Sequence, residues 1–148
     1  MATTITLYNH VPWCFSTGTI VWPTDDIKLA LIGSGYVFDS AHTVLADASD
    51  YEISGDGYTP GGMSLTGKTA TDSDGVVSLD ADNLEWSALT ATFRFGLLYK
   101  SGTINGKTDP LIACILFNDT PADIAVEGTG YPVTWSNAGI ILGTIVAG

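Results

Sequence analysis

Apolar and polar residues alternate along much of this chain with a period of two. From Leu89 the sequence places Leu89, Ala91, Phe93, Phe95, Leu97 and Tyr99 on one face, and Thr90, Thr92, Arg94 and Gly96 on the other. A β-strand turns successive side chains to opposite sides, so this pattern predicts one long strand with a buried and a solvated face. Val77 and Leu79 alternate in the same way with Ser78 and Asp80, and Ile27, Leu29 and Leu31 alternate with Lys28 and Ala30. The run from Leu111 to Phe117 is apolar throughout, which predicts a central strand covered on both faces. Thr3–Tyr8 and Thr17–Trp22 supply strands at the start, and Tyr131–Trp135 with Ile140–Val146 supply the last two.

Turn chemistry punctuates these runs. Asp74-Gly75 and Asn105-Gly106 are pairs that accept the positive φ of a tight hairpin. Gly128-Thr129-Gly130 and Asn137-Ala138-Gly139 are read as the last connections. One segment argues for a helix, Ala41–Ala46 with Ser40 as its cap, and it spans a turn or two. Thr24 before Asp25-Asp26 is a second cap candidate, but the alternation that follows favours a strand. Short strands at this spacing predict an all-β fold, a single-domain antiparallel β-sandwich, of which a jelly-roll is one form. At most one short helix is expected, near residues 40–47. Residues 1–26 are read as N-terminal strands or a docking arm, and residues 27–148 as the body of one domain.

Composition narrows the function classes. A chain of 148 residues suits one domain with a real core. Hydrophobic residues make up 45% and charged residues 14%, against roughly 25% charged in typical domains, which excludes intrinsic disorder. Five Lys and Arg stand against 16 Asp and Glu, so a basic footprint for nucleic acid is absent. No window reaches the ~20 apolar residues of a spanning helix, so no membrane partner is expected. Met1-Ala2-Thr3-Thr4 carries no charged leader, and Asn9, His10 and Pro12 interrupt the apolar stretch that follows. Without a secretion signal, Cys14 and Cys114 are expected as buried, reduced thiols. A mean hydropathy of +0.27 without a membrane span implies apolar surface that copies of the chain or a lattice of partners must cover.

Candidate chemistry is sparse. The histidines are His10 and His42, and Gly33-Ser34-Gly35 lacks the spacing of a nucleophile elbow, so no catalytic residue is assigned. Asp72-Ser73-Asp74-Gly75 and Asp80-Ala81-Asp82-Asn83 through Glu85 resemble fragments of a calcium loop. Neither completes the pattern; no metal or cofactor is expected, and a small calcium-dependent module is kept as an alternative. In the stretch from Gly55 to Gly62, four glycines let the backbone approach either its own sheet or a neighbouring subunit. Tyr58, with Thr59 beside it, is the anchor there. Tyr8, Trp13, Phe15 and Trp22 pose the same choice between core and contact. Tyr8, Trp13, Trp22, Tyr58 and Thr59 are accordingly the candidate subunit or capsid interface.

Several ordered blocks carry a resemblance. They are Ile27-Lys28-Leu29-Ala30-Leu31, Ser34-Gly35-Tyr36, Ala41-His42-Thr43, and Tyr51-Glu52-Ile53-Ser54 running into Gly55–Gly62. Leu79–Trp86, Thr92–Tyr99, Val133-Thr134-Trp135 and Gly139-Ile140 follow. Together they resemble a family of small tailed-bacteriophage virion structural proteins, over most of the chain after residue 26. The resemblance implies a structural role in the virion and transfers no catalytic or metal residue. The expectation is a capsid decoration (cement) protein, a homotrimer on the major capsid protein at the surface of the mature head. It would be made in the host cytoplasm. A tail, neck or fibre component with glycan contact is the alternative within the same virion.

Overall fold

The computed structural model describes residues 4–118, 122–136 and 138–143. In chain order the elements are β1 (Thr4–Leu7), α1 (Val11–Ser16), β2 (Ile27–Ile32), β3 (Met63–Ser64), β4 (Thr69–Ser73) and β5 (Val76–Asp80). They continue with β6 (Leu84–Phe93), β7 (Phe95–Lys100), β8 (Thr103–Ile104), β9 (Lys107–Thr108), β10 (Leu111–Leu116), β11 (Ile124–Val133) and β12 (Ile141–Gly143). The fold is all-β with antiparallel pairing. A five-stranded sheet runs β1-β10-β7-β2-β3, β11 pairs with β6, β12-β5-β4 form a three-stranded sheet, and β8 pairs with β9.

The five-stranded sheet is covered on both faces, and its side chains sort accordingly. Ile27, Leu29, Leu31, Leu98, Ile112 and Ile115 join one core cluster with Leu79, Trp86, Leu89, Phe93, Val126 and Ile141 of the two other larger sheets. Ala30, Ile32, Leu97, Tyr99, Leu111 and Cys114 join a second cluster with Tyr8, Val11, Tyr36 and Ala48. Strand β10 is buried from Leu111 to Ile115 and lies between β1 and β7, as its unbroken apolar run predicts. Its register shifts between Leu111 and Ala113, and the bulge puts the adjacent Ile112 and Ala113 into the same cluster.

Several sequence expectations are corrected. The long strand predicted from Leu89 to Tyr99 is two strands in different sheets: β6 pairs with β11, and β7 with β2 and β10. The crossing happens at Arg94, whose backbone N–H donates to the Ile32 carbonyl at 2.9 Å. Alternation runs through the crossing unbroken, so periodicity carries no mark of it. Trp13–Phe15, within the stretch expected as N-terminal strands or a docking arm, is helical in α1, with Pro12 in the first turn where its missing N–H costs nothing. Val11 and Cys14 face inward from this one-turn element and Trp13 outward.

The helix expected at Ala41–Ala46 is absent. Asp39 caps the Ala41 amide, Asp47 holds the amides of Thr43 and Val44, and two 3-10 turns follow at Leu45–Asp47 and Ser49–Tyr51. Local carboxylate bonds of this kind compete with helix geometry. Thr17–Trp22 is a loop rather than a strand. Gly128-Thr129-Gly130 lies inside β11, where the register shifts, and not in a connection. Strand β12 begins at Ile141; the remainder of the predicted Ile140–Val146 strand, from Thr144, lies outside the described residues, as does Thr3 of the first. Residues 4–26 are part of the body and not a free arm, since β1 pairs with β10 and Tyr8, Val11, Cys14, Ile20 and Trp22 are core.

Candidate functional site

Nucleophilic side chains meet on the α1 face of the main sheet. His10 Nε2 lies 2.7 Å from the Leu111 carbonyl, which accepts only from an N–H, so Nδ1 of the neutral ring is left to accept. Cys14 Sγ sits 3.4 Å from that Nδ1, one helical turn on. Burial lowers the His10 pKa and raises that of Cys14, so the pair stays a thiol beside a neutral imidazole. Cys114, also free and buried, has its thiol pushed up to about 12 by desolvation. Tyr8 Oη and Tyr36 Oη are 2.9 Å apart, and Tyr36 Oη is 2.9 Å from His42 Nδ1. These bonds tie the start of the chain to the 36–48 loop. A reactive cysteine needs a depressed pKa and access; both thiols here have the opposite.

The glycine-rich stretch approaches the chain's own sheets. A Cβ on Gly57 would stand 1.9 Å from the Ala88 carbonyl oxygen, and one on Gly62 1.9 Å from that of Leu29. The Thr90 amide donates to the Asp56 carbonyl at 2.8 Å, so this loop lies along the outer edge of β6. Glu52 Oε2 gathers it, accepting from Tyr58 Oη at 2.6 Å and from the Gly61 amide at 2.7 Å. Tyr58 is an internal anchor, 8% exposed. Tyr8 and Trp22, at 1% and 2%, are likewise interior, and Trp22 Nε1 donates to the Asp80 carbonyl at 2.9 Å. Of the five interface candidates, Trp13 and Thr59 are at the surface. Trp13 is 48% exposed, with the Lys107 ammonium 5.6 Å from its ring centroid. The structure does not bring the five together into one site.

What it does assemble is an apolar groove of about 510 Å³. Its walls come from the terminal strands of two sheets, Ile5 on β1 and Leu142 on β12, and from Tyr131, Pro132 and Val133 of β11 with the segment that follows. Phe117 and Tyr131 form part of its lining; with Phe93 they make a three-ring edge-to-face cluster, centroids 5.0–5.9 Å apart. None of the twelve described residues that line it is charged. Trp135 is fixed in the wall by its amide on Asn83 Oδ1 at 2.9 Å and by its indole N–H on the Asp82 carbonyl at 3.1 Å. Beyond Thr134, Trp135 and Ser136 lies a second, polar pocket of about 320 Å³, whose other wall is Asp80–Asn83.

Set against known protein families, curated proteins and solved structures, the chain matches none.

The groove residues were not singled out by sequence reasoning. Leu142, an apolar residue of the predicted Ile140–Val146 strand, is 52% exposed there, which the sequence pattern does not show. The Asp72–Asp74 and Asp80–Asp82 fragments bring no third ligand together: among the described residues no group of three or more His, Cys, Asp or Glu converges. Nor, among them, is any helix long and apolar enough to cross a membrane.

Proposed function

We propose that this chain is a virion structural protein of a tailed bacteriophage that decorates the mature head as a homotrimer on the major capsid protein. One observation carries the reading: an apolar groove whose described lining holds no charged residue, between strands that end their sheets among the described residues, in a chain of net charge −11. Apolar surface of that kind marks protein contact. The acidic exterior keeps particles apart and pairs with basic surface on a shell. The residue blocks of the sequence resemblance support the same role. Function is then linkage: a protein that binds only the mature lattice stabilises that lattice by mass action.

Electron cryo-microscopy of the intact virion, with this chain located in density, tests the reading. Density at quasi-threefold positions on the head is the expected result; density confined to the tail overturns it. The second reading, a tail or fibre component touching glycan, draws on the half-exposed Trp13, since an aromatic face suits a sugar ring.

A further inference from the structure

Asn105 and Gly106 turn the chain between β8 and β9 with φ values of 51° and 76°, and they are the one Asn-Gly pair in the sequence. Both are exposed, and a Cβ on Gly106 would meet nothing within 4 Å, so solvent reaches its amide. The Asn105 side chain is nonetheless tethered. Thr17 Oγ1 donates its one proton to the Trp13 carbonyl at 2.8 Å, so in its 2.7 Å contact with Thr19 Oγ1 it accepts. Thr19, at 0% exposure, donates its own proton there, and its oxygen accepts from Asn105 Nδ2 at 2.8 Å. Lys100 Nζ holds the Thr19 carbonyl at 3.1 Å, which fixes that acceptor in place. A directed chain of hydrogen bonds thus runs from the hairpin tip to α1, where Lys107 lies over Trp13.

The geometry points to Asn105 as a site of spontaneous deamidation whose rate in the folded chain is restrained by Thr19 and whose product releases the hairpin from α1. The Gly106 nitrogen gives its proton to solvent base and bonds to Asn105 Cγ; the Cγ–Nδ2 bond breaks, and ammonia leaves with a proton from water. Water then opens the succinimide at either carbonyl, leaving aspartate or isoaspartate. Gly106 has no side chain to hinder the attack. Ring closure needs the carboxamide to rotate onto the next nitrogen, however, and a tethered carboxamide lacks that freedom. In isoaspartate the main chain passes through Cβ and Cγ. A two-residue turn cannot take up the extra atom and keep Ile104 opposite Lys107, so Lys107 leaves Trp13. The half-exposed indole then presents a different surface in an aged chain, wherever that chain works.

The folded full chain is incubated at mildly alkaline pH, and its tryptic peptide Ser101–Lys107 is followed by mass spectrometry and isoaspartate methylation. Aspartate and isoaspartate are expected to accumulate in that peptide, faster in the urea-denatured chain, with N105Q as the blank. T19V keeps the shape of the buried residue and removes the acceptor. It should deamidate about fivefold faster than the unsubstituted chain, the scale of one net hydrogen bond. T19S, which keeps the hydroxyl, should match the unsubstituted rate. By NMR the Trp13 indole should shift in the isoaspartate form while that of buried Trp86 stays. A folded chain that keeps its amide as long as N105Q does overturns the proposal. So does one common rate for T19V and the unsubstituted chain, a T19S rate as fast as that of T19V, or isoaspartate formed with the Trp13 resonance unmoved.

Discussion

Between Ile53 and Gly62 the chain forms no strand or helix, whereas β4 and β5 make a regular hairpin. The irregular segment is the more firmly held. Its backbone bonds reach β2 through the Ile53 amide, which donates to the Leu31 carbonyl, and β6 through the Asp56 carbonyl, which accepts from the Thr90 amide; Glu52 clamps it from inside. Every residue of β4 is exposed, as are Val76 and Val77 of β5, so toward its tip the hairpin buries no side chain, although β12 still pairs with β5 from Leu79 to Val77. Strands without a covered face gain little from burial. Regularity and rigidity separate here because fixation comes from burial and satisfied polar groups, not from repeating dihedrals.

The largest effect should come from Gly62→Ala. The added Cβ meets the Leu29 carbonyl oxygen at 1.9 Å and the backbone has φ +88°, so a loss of about 3 kcal/mol or more is expected in urea unfolding. Glu52→Ala comes next, at about 2 kcal/mol, because Tyr58 Oη and the Gly61 amide lose their shared acceptor. Amide exchange should then quicken at Ile53 and Thr90 while the hairpin amides keep their rates. Equal quickening in both regions would mean that Glu52 supports the whole fold rather than this loop.

Alkaline titration sharpens the contrast. Burial, and for Tyr58 the bond to Glu52, raises the phenol pKa values of Tyr58 and Tyr99 above 10. The unfolded chain loses those protons first, so their contribution is complete below pH 10 and declines as the pH rises beyond it. The slope is up to about 1.4 kcal/mol per pH unit for each tyrosine. Y58F should flatten the decline, read as the urea midpoint against pH.

The hairpin should respond far less. Gly75→Ala places a side chain at φ +78° with nothing within 4 Å, which costs about 1 kcal/mol of backbone strain alone. Val76→Thr should stay within about 0.5 kcal/mol, as for other exposed positions. A larger loss from V76T would show that something covers the hairpin.

Legibility in the sequence follows the range of the forces involved. The unbroken run of β10 and the hairpin turns at Asp74-Gly75 and Asn105-Gly106 were readable because burial and positive φ write local signatures. Helix α1 was not: its six residues have little intrinsic helicity, and the inward contacts of Val11 and Cys14 hold it. The first half of β11 hid behind Gly128 and Gly130, which read as a turn and sit at a register shift. The groove was illegible for a different reason, since Ile5, Phe117, Trp135 and Leu142 are strangers in sequence and meet only once three sheets are in place. The resolution of the Gly55–Gly62 stretch in favour of the chain's own sheets needed the coordinates too, because a close backbone approach reads the same whichever surface it meets.

The passage from β6 to β7 through Arg94 alone has a mechanical meaning. A single residue offers no slack, and its amide is itself bonded to β2. The sheets on either side of that corner cannot slide past one another without breaking the joint, so a tug on one is felt at once by the other through the peptide chain.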